Sequence, residues 1–342
     1  MPRSTPETRV FKLSELQPGQ HADCFAVLVK KDRGQTRDGK PYFRVTFRDV
    51  HRTATSMIWA DSGWYDDCEQ QWQPGQCYKL RVRYLENQYG PQLELEKIRP
   101  VDDSDRAAGF QPADYYPSSR FDSAQMFAQL VALAEREIAD KPLRQLTVAL
   151  LRDHAEPLLS LAAAVYHHHA FRGGFLEHVL SVAHTAVFLA DKYLAVYPEL
   201  RPPLSKSLVV AGAILHDIGK LLELEQRPQG ADYTPHGRLI GHIVLGRDLI
   251  RAKAASIPDL DAEQLLRLEH IILSHQGTPE WGSPIPPATP EALLVHYADD
   301  LDAKFQMMAA ALSADPAPGQ EQFTSKDNPL GRRLFRGLGE RR

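Results

Sequence analysis

The hydrophobic pattern of this 342-residue chain changes near residue 121, from short strands before it to helices after it. Before that point, five short segments are rich in β-branched and aromatic residues and are separated by turn residues. They are Cys24–Val29, Pro41–Arg48, Thr53–Trp59, Cys77–Leu85 and Pro91–Ile98. A helix-like patch over 63–71 precedes the fourth strand. This order predicts a five-stranded OB-type β-barrel over residues 10–100.

After residue 121, apolar residues recur at three- and four-residue spacing, which predicts a helical bundle over residues 122–315. The predicted helices span 126–138, 143–154, 157–166, 175–193, 205–224, 240–255, 261–274 and 290–312. Residues 101–121 lack any period and are predicted to be a linker, and residues 316–342 are predicted to be a basic, mobile tail. The fold class is therefore multidomain α and β, with the barrel preceding an all-α domain.

Composition and charge narrow the class of protein. The net charge of -4 argues against a protein whose whole surface grips nucleic acid, although it allows local basic patches. Cys24, Cys68 and Cys77 lack the spacing of a zinc ribbon or a disulfide framework, which fits a reducing compartment. The start of the sequence is polar, and no apolar run approaches the ~20 residues of a membrane span. We therefore expect a cytoplasmic protein that does not associate with membranes.

The pair His216-Asp217 ends an almost wholly apolar predicted helix, where a buried carboxylate is costly unless it is paired or bound to a metal. Further histidines and a carboxylate lie at helices or helix ends elsewhere, at His178, His242, His275 and Asp299. Imidazole and carboxylate together suit a divalent ion such as Mn, Fe, Co or Zn. Separate helix caps and buried hydrogen bonds would explain two or three of these six positions, but not so well all six.

Three further features suggest contacts to a phosphorylated substrate. Lys220 lies four residues after His216 and is placed to approach a phosphate oxygen, although a solvated lysine at a helix end is an equal alternative. Trp281, in a proline-rich loop, could stack on a terminal base or simply pack locally. His168 and His169, before a Gly-Gly turn, are weaker candidates for a phosphate contact.

The predicted barrel carries a basic segment that suits single-stranded nucleic acid. Along the strand Pro41–Arg48, three apolar residues alternate with Tyr42, Arg44, Thr46 and Arg48, so one face offers an aromatic ring and two cations. Edge-strand cations that prevent aggregation are the alternative. The predicted nucleic-acid-binding residues are Lys30, Lys31, Arg33, Arg37, Lys40, Tyr42, Arg44, Arg48 and Trp281.

These residues resemble a known family. His178, His216-Asp217 and Asp299 match the H…HD…D signature of the HD-domain metal phosphohydrolases, and His242 and His275 match its two-metal version. Longer strings resemble the YhaM-type 3′–5′ exoribonucleases, which place an OB fold ahead of an HD domain, over roughly residues 10–312. They include 168–178, 216–220, 241–243, 274–277, 280–284 and 296–304. One departure is Gln276, which stands where many two-metal members carry a histidine, so the filling of the second metal site stays open.

The resemblance implies how the site works. One ion would be held by His178, His216, Asp217 and Asp299, and a second by Asp217, His242 and His275, with Mn the expected metal. A hydroxide between them would attack the terminal phosphodiester of single-stranded RNA, or of DNA as a second substrate, and release nucleoside 5′-monophosphates. His216, Asp217 and Lys220 would be the catalytic residues. A homo-oligomer is compatible with the sequence.

Two rival functions stay open at this point. The same catalytic residues would serve a hydrolase of a small nucleotide, such as a cyclic dinucleotide or a nucleoside triphosphate. Alternatively, the protein would bind single-stranded nucleic acid without catalysis, with a purely structural histidine cluster. An intact His/Asp set makes the second rival the weaker one.

Overall fold

The computed structural model describes residues 10–36, 38–49, 51–87, 90–111, 115, 118–164, 171–227, 230–313, 321–326 and 328–338. The chain divides into two compact units, residues 1–117 and 118–342. Each unit has its own hydrophobic core, and each is described by itself below.

The first unit is built mainly from strands. They are β1 (Val10–Lys12), β2 (His21–Gln35), β3 (Pro41–Arg48), β4 (Thr53–Trp59), β5 (Cys77–Asn87) and β6 (Gly90–Pro100), with α1 (Tyr65–Gln70) between β4 and β5. Strands β3 and β4 have the predicted bounds, whereas β2 is longer because it continues through the polar residues Lys30 to Gln35, which pair with β3. A half-exposed strand end has no apolar alternation, and the sequence pattern therefore does not reveal it.

The strands close into a barrel. Strand β2 is antiparallel to both β3 and β5, β5 is antiparallel to β6, and β4 meets β6 in parallel at Thr55 and Gln92. The order β2-β3-β4-β6-β5, returning to β2, with a helix before the fourth barrel strand, is the topology of an OB fold. Phe43, Val45 and Phe47 face the core, as their alternation along β3 predicts. The predicted barrel is confirmed.

The predicted linker is partly folded against the barrel. A 3-10 helix spans Asp103–Arg106, and the rings of Phe110 and Tyr115 stack with centroids 5.3 Å apart beside Phe25. Asp105 is buried and accepts hydrogen bonds from Arg99, which hold the pKa of its carboxyl well below the usual range. Two aromatic anchors and one buried ion pair produce no sequence period, so the sequence of the predicted linker does not reveal this local structure.

The second unit is helical. Its helices are α2 (Ser123–Glu137), α3 (Lys141–Asp153), α4 (Ala155–Ser160), α5 (Gly174–Val196), α6 (Lys206–Leu215), α7 (Lys220–Glu223), α8 (Pro235–Leu239), α9 (His242–Ala254), α10 (Ala262–Ser274) and α11 (Pro290–Ser313). Aspartate or serine side chains cap α2, α3, α6 and α10 at their N-termini, as the residue types before those helices favour. The predicted helices are present, except that the one predicted over 157–166 ends at Ser160 as α4, and there are two further differences.

The first difference is that the predicted helix 205–224 is interrupted. Helix α6 ends at Leu215, a turn follows, and α7 begins at Lys220. The second is a hairpin that the sequence did not suggest, formed by β7 (Leu224–Arg227) and β8 (Gly230–Tyr233). The turn between α6 and α7 and the hairpin of β7 and β8 both bring polar residues next to the buried end of α6.

Helix α5 is long and apolar enough to cross a membrane by length and composition alone, the single such helix in the described part of the chain. No such helix was expected from the sequence. The buried side of α5 includes Phe175, Val179 and Val182, which pack in the helical core. Core helices meet the same criterion, so this finding by itself assigns no membrane association.

The C-terminal segment differs from the predicted mobile tail in the part that the structure describes. Phe323 and Phe335 form a β-bridge, and Leu334 is buried. The guanidinium of Arg336 donates hydrogen bonds to the carbonyls of Ala311 and Leu312 at the end of α11. This arginine therefore caps α11, because the last carbonyls of a helix lack intrahelical donors. Residues 316–320 and 339–342 lie outside the described residues.

Candidate metal centre

The turn after α6 places His216 and Asp217 in the interior of the helical unit. Both residues are buried. The turn lies so close to the start of α9 that a Cβ atom at Gly219 would overlap the carbonyl oxygen of His242. Glycine therefore permits this approach, and it is the approach that brings His242 beside Asp217.

The Asp217 carboxylate lies between two pairs of histidines. Its Oδ2 atom is 3.4 Å from His216 Nε2 and 3.7 Å from His178 Nε2. Its Oδ1 atom is 3.3 Å from His242 Nε2 and 3.7 Å from His275 Nε2. The two groups, His178-His216-Asp217 and Asp217-His242-His275, each have ligand atoms close enough together to hold a metal ion. One carboxylate oxygen thus serves each pair, which is the arrangement of a bridging ligand.

Backbone carbonyls orient one histidine of each pair. His216 Nδ1 donates to the carbonyl of Ala213 at 2.8 Å, and His275 Nδ1 donates to the carbonyl of Ile272 at 2.7 Å. Each acceptor lies three residues earlier, at the end of the helix that carries the histidine. In the neutral ring, a hydrogen on Nδ1 leaves the Nε2 lone pair free, so both rings could offer Nε2 to a metal ion beside Asp217.

Carboxylates orient the other histidine of each pair. His178 Nδ1 is 2.7 Å from Asp302 Oδ2, and His242 Nδ1 is 3.0 Å from Glu223 Oε1. Asp302 also accepts a hydrogen bond from the hydroxyl of Ser181. Carboxylate–histidine pairs of this kind support the imidazole ligands of metal ions. The donor set and its outer support therefore fit one or two divalent ions.

Asp299 borders the first pair. Its Oδ1 atom is 3.2 Å from His178 Nε2 and 3.8 Å from His216 Nε2. Its side chain is 15% exposed, whereas that of His178 is fully buried, so the cluster is more open on the Asp299 side. The structure thus brings together all six residues that the sequence analysis proposed as metal ligands.

The electrostatics of the cluster suit a cation. Burial acts to raise the pKa of Asp217, but Lys220 and His216 lower it well below the usual range, and hydrogen bonding from His178 does the same for Asp299. Burial acts to lower the pKa of His178, but hydrogen bonds with Asp299 and Asp302 raise it to about 9. An incoming cation would therefore meet ionised carboxylates and would displace a proton from His178.

Lys220 lies at the cluster, where it contacts Asp217. Its Nζ atom is 2.5 Å from Asp217 Oδ2, and the residue is buried. A solvated helix-end lysine is thus excluded, and in this structure the ammonium pairs with a carboxylate.

Gln276 lies at the second pair of histidines, with its Nε2 atom 3.3 Å from His242 Nε2. The amide therefore stands beside the second candidate site, where the resemblance led us to expect an imidazole.

Sequence reasoning missed the two supporting carboxylates. Asp302 lies three residues after Asp299 on α11, and this spacing places both on one side of the helix, so a signal was present. Glu223 gave no signal, because it reaches His242 only through the hairpin of β7 and β8.

The candidate nucleic-acid surface on the barrel includes an aromatic pair. Tyr42 and Trp59 lie directly opposite each other on β3 and β4, with ring centroids 5.4 Å apart. The Tyr42 ring lies so close to Gly34 of β2 that a side chain there would collide with it. Trp59 is 46% exposed, and sequence reasoning missed it because it ends its strand. Together with exposed Arg44, the pair forms an aromatic and cationic patch.

The structure gives the predicted cations different roles. Lys31 donates three hydrogen bonds, to the carbonyls of Cys68, Glu69 and Trp72, so it caps α1. A contact of Lys31 with nucleic acid would have to compete with these three hydrogen bonds, and it stays a prediction. At the surface, Lys30 forms an ion pair with Asp32, and Arg33 forms one with Glu69. Lys40 is exposed, and burial lowers the pKa of Arg48. Arg37 lies outside the described residues.

Trp281 lies in the helical unit, in the loop after α10. Its indole is 56% exposed, and the ammonium of Lys304 lies 5.1 Å from the ring centroid. Lys304 also pairs with Asp300 at 2.8 Å. The ring is therefore accessible to solvent, although the Lys304 ammonium already lies over it. His168 and His169 lie outside the described residues.

Comparison with known proteins finds a family match within the helical unit. Residues 175–304 match the family model described as HD domain. This range contains all six candidate ligands, and HD domains belong to a superfamily of metal-dependent phosphohydrolases. The predicted fold class, an OB-type barrel followed by a helical HD domain, is confirmed by this match together with the strand topology.

Three solved structures are similar to part of the chain. A domain of replication protein A from Methanococcus maripaludis is 14% identical over 28% of this chain and 98% of its own, with a TM-score of 0.23. The second OB-fold domain of that protein is 15% identical over 28% and 96%, with a TM-score of 0.22. A replication factor A related protein from Methanobacterium thermoautotrophicum is 15% identical over 29% and 96%, with a TM-score of 0.22. The OB assignment above relies on the strand order alone.

Proposed function

We propose that this protein is a metal-dependent 3′–5′ exonuclease that hydrolyses single-stranded RNA to nucleoside 5′-monophosphates, with single-stranded DNA as a second substrate. The observation that carries the proposal is the position of Asp217, whose two carboxylate oxygens each face one pair of histidine Nε2 atoms. The direction of degradation and the preference for RNA rest on the resemblance to the YhaM-type exoribonucleases.

The chain offers ligands for two ions. His178, His216, Asp217 and Asp299 would hold the first, and Asp217, His242 and His275 would hold the second. When bound, divalent ions such as Mn²⁺ supply Lewis acidity and lower the pKa of a water molecule from its bulk value towards about 7.

The protein's own residues position and neutralise charge around that centre. Asp302 and Glu223 hold two of the imidazoles in one tautomer, and backbone carbonyls hold the other two. Lys220 balances part of the carboxylate charge through its contact with Asp217. We propose that the same ammonium approaches a substrate phosphate, because it lies within reach of the carboxylate that both pairs share.

The barrel would supply affinity for the polymer. The Tyr42–Trp59 pair offers aromatic faces on which bases can stack, and Arg44 offers a cation for the backbone. Stacking tolerates every base, which suits an enzyme that degrades a strand step by step. We also propose a cytoplasmic location, since Cys24 and Cys68 of the barrel are buried free thiols.

The test uses a 5′-labelled single-stranded RNA, Mn²⁺ and three proteins. We expect the wild type to give a ladder that shortens from the 3′ end and to release 5′-monophosphates. His216→Ala is expected to be inactive, whereas His236→Ala, which removes an exposed imidazole of α8, is expected to retain activity. RNA that stays intact with every divalent metal would refute the proposal and favour a small-nucleotide hydrolase.

A further inference from the structure

A groove of about 560 Å³ opens between α2, α5 and α11 of the helical unit. Its floor includes the buried apolar side chains of Met126 and Leu180. Phe121 and Phe305 line it with large exposed aromatic side chains. A volume of this size lies within the range of small-molecule sites in proteins.

Each helix contributes residues from one side. Helix α11 presents Asp302, Phe305, Gln306 and Ala309, at intervals that place them on a single side of the helix. Helix α2 presents Gln125 and Gln129, and α5 presents Ser181 and His184. Three amides and an imidazole around apolar and aromatic surface provide hydrogen-bonding groups for the edge of a flat ligand.

The charges of the groove disfavour a phosphate as the main contact. Three carboxylates line it, those of Asp122, Glu177 and Asp302. The basic side chains that line it are those of Arg120 and His184. The guanidinium of Arg120 lies 4.8 Å from the centroid of the Phe121 ring. A neutral, planar ligand fits this balance better than an anion.

The groove also reaches the back of the metal centre. Ser181, which lines it, donates a hydrogen bond to Asp302. The other oxygen of Asp302 lies 2.7 Å from Nδ1 of His178, on the side of the ring away from Asp217. A ligand in the groove would therefore lie one carboxylate away from a candidate metal ligand.

We propose that this groove binds one purine base of the single-stranded substrate. The identity of the substrate rests on the function proposed above. The aromatic rings supply stacking surface, and glutamine amides can make paired hydrogen bonds with adenine. A base held here would keep part of the strand on the helical unit during cleavage.

The experiment measures binding of adenosine and of uridine to the full-length protein in the presence of a chelator, by calorimetry. We expect adenosine to bind more tightly than uridine. Phe305→Ala should weaken adenosine binding about 5- to 150-fold, the loss typical of one stacked base. Phe305→Tyr should retain binding because it keeps the ring. Phe188→Ala is the matched control, since both phenylalanines are 68% exposed on helices of this unit and only Phe305 lines the groove.

Three outcomes would overturn the proposal: no adenosine binding by the wild type at millimolar concentrations, equal effects of Phe305→Ala and Phe188→Ala, or tighter binding of uridine. The RNA assay on the same proteins separates this proposal from the proposed function. RNA degradation without adenosine binding in the groove would refute the groove alone. Adenosine binding that depends on Phe305, together with intact RNA, would refute the exonuclease alone.

Discussion

The carboxylate of Asp302 provides the sharpest test of the metal centre, because it supports a ligand without contacting Asp217. Its Oδ2 atom lies 2.7 Å from His178 Nδ1, and its other oxygen accepts from Ser181. His178 is fully buried, so water cannot replace the lost partner. Asp302→Asn keeps the size of the side chain but removes its charge.

We expect Asp302→Asn to weaken Mn²⁺ binding about 10- to 100-fold, the usual effect of removing an outer carboxylate from a histidine ligand. This loss corresponds to about 1.4–2.7 kcal/mol. The asparagine oxygen can still accept one hydrogen bond, and for this reason the predicted loss is partial. The effect should fall on the ion held by His178 and should leave the site of His242 and His275 in place.

Calorimetric titration of the metal-free protein with Mn²⁺ measures this effect. Glu223→Gln is the matched variant, because Glu223 supports His242 in the same way at 3.0 Å. The two variants should weaken different binding events. If Asp302→Asn binds Mn²⁺ within about twofold of the wild-type affinity, this carboxylate–histidine pair does not support a metal ligand.

Three further predictions concern pH, backbone packing and the barrel surface. Since the pKa of His178 is raised to about 9, its proton competes with the metal at lower pH; Mn²⁺ affinity should rise about tenfold per unit from pH 7 towards pH 9, with proton release detectable by calorimetry in two buffers. Gly219→Ala should destabilise the protein by about 1–3 kcal/mol in urea unfolding, because its Cβ would overlap the carbonyl oxygen of His242, whereas Gly63→Ala, with open space around it, should not. Trp59→Ala should weaken binding of single-stranded RNA about 5- to 150-fold, measured by fluorescence anisotropy in the presence of a chelator. If the variant binds as tightly as the wild type, Trp59 does not belong to the nucleic-acid-binding surface.

Much of the candidate site followed from residue types alone. The six proposed ligands lie between residues 178 and 299 on separate elements, and each combines a metal-binding side chain with an apolar neighbourhood. Burying so many polar groups is costly unless they meet one another, which is why their convergence could be expected. Strand β3 followed from strict alternation, since one of its faces lines the core. Strand β4 followed from its short run of β-branched and aromatic residues between turn residues.

The contacts that the sequence did not reveal depend on chain reversals. Glu223 meets His242 only because a short hairpin returns the chain between them, and that hairpin has no strong turn dipeptide or alternation. Lys31 looks like any surface cation, yet its ammonium lies over the end of α1 and binds three carbonyls. Phe110 and Tyr115 anchor a segment without any period. Periodicity reports one-sided burial of regular elements, and it does not report single tertiary contacts.

Incorporation of oxygen from water into the products reports directly on hydrolysis that depends on Asp217. Wild-type protein and Asp217→Asn would be incubated with Mn²⁺ and single-stranded RNA in ¹⁸O-labelled water. The masses of the products would then be measured by mass spectrometry. We expect nucleoside 5′-monophosphates that carry ¹⁸O in the phosphate, formed by the wild type and not by Asp217→Asn. Equal product from both proteins, or no labelled monophosphate from either, would contradict it.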